Sequence, residues 1–162
     1  MNKRSGLKNM DEADPEKFKE LTEWILQSGA EYLVIDAKIE DELKDFEGDE
    51  KELMRTEMGV VDDGINSLIK HAYHLLGLET YFTTGVDETR AWTIKAGSTA
   101  PVAGMAIHTD FKDKFIRAEV VFWKDLLDSG SFAEARSKGL VRTEGKDYIV
   151  QDGDVFHFKF NV

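Results

Sequence analysis

The 162-residue sequence predicts an α+β fold. Two observations carry that prediction. Residues 1–77 place their apolar side chains at helical spacing, whereas residues 78–162 carry short, alternating runs of strand type. The boundary near Gly77-Leu78 is a change of period and not a Pro- or Ser-rich linker.

The elements follow in order. Residues 1–8 show no periodicity and are expected to fray. Asp14, Pro15 and Glu16 form a helix start, and Gly29 a stop. Phe18, Leu21, Ile25 and the flanking Trp24 mark the buried stripe of that first helix. Tyr32-Leu33-Val34-Ile35 suits a buried strand. Helices are predicted over 39–46, 49–58 and 63–76, the last with Ile65, Leu68, Ile69, Ala72, Leu75 and Leu76 on one face. Helix, strand, helix is half of an α/β unit, and one strand cannot make a stable sheet. The front half is therefore expected to be a piece of a larger domain. Behind it, strands are predicted at 79–83, 89–95, 116–122, 147–151 and 154–161, with helices at 100–108 and 123–138. Phe156, Phe158, Phe160 and Val162 alternate with Val155, His157, Lys159 and Asn161, and Asp152-Gly153 signals a hairpin.

Composition excludes several classes of function. The sequence has no cysteine, which removes disulfides, thiolate catalysis and cysteine-bound zinc. No apolar run reaches the roughly 20 residues that span a bilayer, and MNKRSGLKNMDE lacks the apolar core of a secretory signal. A cytoplasmic location is expected, with no membrane or DNA partner. The net charge is −11, of which residues 1–77 hold −9 (10 Lys/Arg, 19 Asp/Glu) and residues 78–162 hold −2 (11 and 13). An acidic front half repels phosphate backbones, so any RNA contact is assigned to the back half.

The stretch Arg90–Val120, RAWTIKAGSTAPVAGMAIHTDFKDKFIRAEV, and the closing EGKDYIVQDGDVFHFKFNV resemble the TGS domain of the YchF-type ribosome-associated ATPases, a branch of the Obg-related GTPases. The resemblance implies a β-grasp, or ubiquitin-like, TGS domain over 78–162. It also implies, more loosely, that residues 1–77 are the C-terminal segment of a P-loop G domain, mostly helical with one strand. Asn9-Met10-Asp11-Glu12 looks like the NxxE that such proteins carry in place of NKxD, near the nucleotide base. Asp36-Ala37-Lys38 takes the place of the small-residue loop that closes over the base. Asn9, Met10, Glu12 and Ala37 thus mark a vestigial nucleotide-base site, to which Asp36 adds an unfavourable negative charge. In the family the cofactor is ATP or GTP with Mg²⁺. None is expected here, because GxxxxGK[ST] has no match: the only Gly-Lys pair, Gly145-Lys146, is followed by Asp147. The chain is expected to begin inside a G domain, without P-loop, switch regions or helical arm.

Other constellations have simpler readings. His71 and His74 are three apart on one helix, but no carboxylate completes a ligand pattern, and helix packing accounts for them. His108 and Asp110 belong to the TGS-like signature IHTDF and are assigned to fixing the loop after a helix. Trp92, Phe111, Phe115, Trp123 and Tyr148 lie among Arg90, Lys95, Lys112, Lys114, Arg117 and Lys146. Interleaved rings and cations can stack bases and hold phosphates, although rings of a small domain also fill its core. Arg90, Lys112, Lys114, Arg117 and Lys146 are the candidate contacts for RNA or another partner. Three functions stay open: a non-catalytic TGS recognition module for ribosome or RNA, a truncated form of an ATP/GTP-hydrolysing parent, and a module that docks onto a separate G domain through an apolar face on residues 18–35.

Overall fold

The computed structural model describes residues 1–3, 8–58, 60, 64–85 and 88–161. They divide into two compact units, Met1–Ala72 and Tyr73–Val162. The first opens on residues 1–3, which are paired where fraying was expected; residues 4–7 of that stretch lie outside the described residues. Asn2 bridges Ile35 in parallel, Lys3 N–H donates to Ile35 O at 2.7 Å, and Ile35 N–H donates to Met1 O at 2.9 Å. Backbone pairing needs matched N–H and C=O groups and no apolar side chain, which is why periodicity missed it. Among the described residues the run at 32–35 makes one bridge, and its side chains are half-buried where full burial was expected.

Helices α1 (Met10–Ala13) and α2 (Pro15–Gln27) follow. The Asp14 carboxylate caps α2 by accepting from Lys17 N–H at 3.1 Å, as the Asp-Pro start predicted. Asp36 does the same for α3 (Ala37–Glu42), accepting from Lys38 and Ile39 N–H, and a 3₁₀ turn over Leu43–Asp45 leads to α4 (Gly48–Glu57). Helix α5 (Gly64–Leu75) matches the expected third helix, except that Asp63 lies outside the described residues. The unit is pinned by Glu40, whose Oε1 accepts Gly64 N–H at 3.0 Å and whose Oε2 lies 3.8 Å from the buried Arg55 guanidinium. A Cβ on Gly64 would meet Glu40 Oε1 at 2.8 Å and Ile35 Cγ2 at 3.0 Å, so a larger residue there displaces the Glu40 carboxylate from this position. The expected stripe of α2 is half-buried at Phe18, Leu21 and Ile25, with the flanking Trp24 66% exposed, whereas that of α5 is not covered: Ile65, Leu68, Ile69, Leu75 and Leu76 are exposed. An amphipathic pattern specifies a face that can be buried and does not itself provide what buries it.

In the second unit β1 (Leu78–Thr84) and β2 (Thr89–Lys95) form an antiparallel pair with Leu78 opposite Lys95. Then come α6 (Ala100–Gly104), α7 (Phe111–Lys114), β3 (Phe115–Phe122), α8 (Trp123–Ser129), α9 (Phe132–Ser137), β4 (Arg142–Glu144) and β5 (Asp154–Phe160). The mixed five-stranded sheet runs β2-β1-β5-β3-β4, with β1 and β5 parallel at Phe82–Val155 and β3 and β5 antiparallel. One sheet face packs Tyr81, Ile94, Phe115, Ala118, Val120 and Phe156 against Ala100 and Ala103 of α6. The other carries Val121 and Val155 against Ala135, with Phe132 and Leu126 alongside.

Three expectations change here. Residues 147–151 are not a strand: Ile149 makes one bridge to Thr99, and the pairing partner of β3 is Arg142–Glu144 instead. The helix expected over 123–138 breaks at Gly130, which adopts φ +79 and caps α8. Asp152-Gly153 makes no hairpin, because β4 and β5 flank β3 on opposite sides. The Asp-Gly turn is used to start the parallel pairing: Thr80 N–H donates to Asp152 Oδ1 at 2.7 Å, and Gly153 N–H to Thr80 O at 2.8 Å. Phe156 and Phe158 share the core side as predicted, and Val162 lies outside the described residues.

Candidate functional site

The face of the sheet that carries Val121 and Val155 is apolar at one end and cationic at the other. Alternation along β3 and β5 puts Arg117, Glu119 and Val121 on the same side as Lys159, His157 and Val155, since Arg117 pairs with Lys159 and Glu119 with His157. Helix α9 adds Arg136, whose Nη2 donates to Glu119 Oε1 at 2.8 Å. Lys159 Nζ and His157 Nδ1 each lie 3.8 Å from Glu119 Oε2. Partial burial pushes the Glu119 carboxyl up, but the Arg136 hydrogen bond and the charges of Arg136, Lys159 and His157 outweigh it and hold it below the usual carboxylate range. Glu119 therefore stays ionised and spaces the cations around it, while Arg117 beside them adds a further charge. Such a face offers several exposed donors to an anionic ligand.

The cations singled out in the sequence are scattered. Of these, Arg117 alone joins the sheet face. Lys112 is exposed on α7, and Lys114 Nζ is held 3.3 Å from Asp110 Oδ2. Arg90 sits on the edge strand β2, its guanidinium 4.4 Å above the Trp92 ring and 4.0 Å from Glu88. Lys146 lies in the turn after β4, at the opposite edge of the sheet. Arg136, His157 and Lys159 were missed. Strand period already placed His157 and Lys159 on one face, but bringing Arg136 there depends on how α9 packs.

The rings divide. Phe115 is buried, and Trp92 and Tyr148 pack against the core, Trp92 Nε1–H donating to Thr83 Oγ1 at 2.8 Å. Trp123 remains 42% exposed. At the end of the sheet a small cleft of about 180 Å³ is lined by His108, Asp110, Phe111, Lys114, Phe160 and Asn161. Asp110 N–H donates to His108 Nδ1 at 3.2 Å, so the imidazole braces the loop after α6.

In the first unit, Asn9 is the N-cap residue of α1, its carbonyl accepting from Glu12 and Ala13 N–H, while Met10 and Glu12 are exposed. Ala37 N–H donates to Asn2 Oδ1 at 3.0 Å, and Lys3 Nζ pairs with Asp11 at 2.7 Å. Both stretches are thus tied to Met1–Lys3. The Asp36 carboxylate is engaged as a helix cap. Among the described residues no group of three or more His, Asp or Glu could hold a metal ion, and no helix is long and apolar enough to cross a membrane.

A mixed α/β chain with this five-stranded sheet is similar to the YchF GTPase of Schizosaccharomyces pombe, with a TM-score of 0.76 and 31% identity over 89% of this chain and 38% of that one. The fold is also similar to a GTP-binding protein from Pyrococcus horikoshii, with a TM-score of 0.62 at 20% identity, covering 99% of this chain and 44% of that one. The YchF-GTPase_C family, described as "Protein of unknown function (DUF933)", matches residues 78–161, and the chain belongs to that family. Relatives include proteins named ribosome-binding ATPase YchF from Bacillus subtilis, 50% identical over 93% of this chain, and from Pasteurella multocida, 46% identical over 91%. The chain spans about two-fifths of their length, 42% and 40% respectively.

Proposed function

We propose that this chain acts by contact, as the C-terminal recognition part of a YchF-like ATPase, and that its second unit is a TGS module of β-grasp type that engages ribosomal RNA. Residues 1–77 are, on this reading, the closing segment of a G domain, and 78–162 the TGS domain. The central parallel pairing of the first and last strands of the sheet supports the β-grasp assignment. The relatives, named ribosome-binding ATPases, support ribosome association and a nucleotide-hydrolysing parent protein. The exposed apolar residues of α5 support docking of the first unit on the rest of a G domain.

The single observation that carries the RNA reading is the convergence of the cations Arg117, Arg136 and Lys159, with the His157 ring, around Glu119 on one sheet face, in a chain of net charge −11. Against that background a clustered cationic face is selective for phosphates and loses affinity with salt. Cosedimentation with ribosomes is therefore expected to fall with ionic strength, and Arg117→Ala with Lys159→Ala to lower the log–log salt slope by about 2. Lys112→Glu with Lys114→Glu weakens association as well. Sedimentation unchanged in both double variants removes the RNA reading.

Residues 9–37 are, on the same proposal, a base site without its phosphate cradle. Main-chain donors and Mg²⁺ supply most nucleotide affinity. Titration calorimetry with ATP and Mg²⁺ is expected to give no heat above dilution, and micromolar binding refutes the assignment.

A further inference from the structure

The cleft lined by His108, Asp110, Phe111, Lys114, Phe160 and Asn161 is not used by the phosphate-binding face. It lies where the IHTDF signature meets the end of β5, and its chemistry differs from that of the sheet face. The Phe111 and Phe160 rings stand 4.4 Å apart between centroids at 46°, and Phe160 is 42% exposed. Asp110 carries a carboxylate flanked by Lys114 Nζ at 3.3 Å and His108 Nδ1 at 3.7 Å. Asp110 N–H donates to His108 Nδ1 at 3.2 Å, which holds the imidazole at the rim of the cleft. Asn161 N–H donates to Lys114 O at 3.0 Å and fixes the rim.

A carboxylate beside an ammonium and against aromatic rings suits a flat ligand with two adjacent donors and a neighbouring acceptor. Among the bases, guanine presents that edge: N1–H and N2–H face the two carboxylate oxygens, and O6 faces the ammonium. Cytosine offers the carboxylate one amino group, adenine likewise, and uracil a single imide N–H. We propose that this cleft is a guanine-binding site, in which Asp110 accepts from N1–H and N2–H, Lys114 donates to O6, and the exposed Phe160 ring stacks on the base. The proposal rests on the RNA reading above and adds to it a base preference that phosphate contacts cannot supply.

The test uses the whole chain and fluorescein-labelled pentanucleotides UUGUU, UUAUU, UUCUU and UUUUU, with affinity read by anisotropy. UUGUU is expected to bind about tenfold more tightly than the other three, within the discrimination one bidentate contact provides. Asp110→Asn abolishes the preference and retains the binding common to all four. Phe160→Ala weakens all four alike, as loss of stacking does. Lys159→Glu also weakens all four but leaves the preference intact. Equal affinity for the four RNAs in the parent chain overturns the guanine site while the phosphate reading stands; no binding of any of them, with ribosome association also absent, overturns both. Competition by GMP separates the sources of the base. Displacement of UUGUU only at about a hundredfold excess of GMP assigns guanine within an RNA strand, and displacement at equal concentration overturns the RNA source.

Discussion

Asp154 is 1% exposed and accepts from Tyr148 OH at 2.8 Å, Gln151 N–H at 2.9 Å and Arg142 Nη2 at 3.1 Å. A buried carboxylate is tolerated only when its oxygens are satisfied, and here Arg142 of β4 with Tyr148 and Gln151 of the connection before β5 do so. Asp154→Ala removes the acceptor of the Tyr148 hydroxyl and the Gln151 N–H, and leaves Arg142 with Tyr148 OH and Glu144. It is expected to cost about 3 kcal/mol, measured as the change in urea midpoint at constant slope. The same cluster sets an alkaline limit. Burial, and then the hydrogen bond to Asp154, pushes the Tyr148 phenol up to about 12 from its usual value near 10. The folded chain therefore holds this proton more tightly than the unfolded one. The stability this group contributes is complete below about pH 10 and is lost as pH rises toward about 12. Tyr148→Phe should flatten that part of the stability–pH curve, and equal slopes for the two proteins between those limits count against the coupling.

At the scale of elements, the break between α8 and α9 shows what local pattern can and cannot specify. Gly130 takes φ +79, its N–H bonds back to Leu126 and Leu127, and the Ser131 hydroxyl accepts from Glu134 N–H to start α9. Ser-Gly-Ser followed by Glu134 is legible as a stop and an N-cap, so this break was readable, yet apolar periodicity ran through it. Gly130→Ala is expected to destabilise by about 1 kcal/mol, because a Cβ disfavours the left-handed conformation. Ser131→Ala should cost about as much by uncapping α9. Thermal melts of the two variants check both values; a neutral Gly130→Ala refutes the cap. β1, β2, β3 and β5 were legible because β-branched and aromatic residues alternate along them, and α2 because Asp14-Pro15 opens it. β4 was not, since Arg142-Thr143-Glu144 has no apolar residue and is a strand only because β3 offers it an edge. The cationic face was half legible for the same reason: period two unites Arg117 with Glu119 and His157 with Lys159, while the pairing of those strands is a tertiary fact.

For the whole molecule, charge and core are distributed oppositely. Of the buried apolar side chains among the described residues, Ile39 and Leu43 lie in the first unit, and the others, from Tyr81 to Phe156, lie in the second. The first 77 residues nevertheless carry −9 of the net −11. Buried apolar area is the main favourable term in folding, and like charge opposes compaction. The first unit should accordingly be the less protected of the two, and the one whose stability responds to salt. Raising ionic strength shortens the Debye length from about 30 Å at 0.01 M to about 10 Å at 0.1 M. That change screens repulsion among Asp45, Glu47, Asp49, Glu50 and Glu52 while leaving the apolar core around Tyr81 untouched. Hydrogen exchange is expected to show slower exchange in α2–α4 at 0.1 M than at 0.01 M salt, with β1, β3 and β5 unchanged. Equal protection of the two units at low salt, or a salt response confined to the sheet, would contradict the assignment of stability to core and of weakness to charge. Binding of a polycation should mimic salt if repulsion is the cause, because it neutralises the same carboxylates; an inert osmolyte, which acts on exposed surface without regard to charge, should protect both units alike.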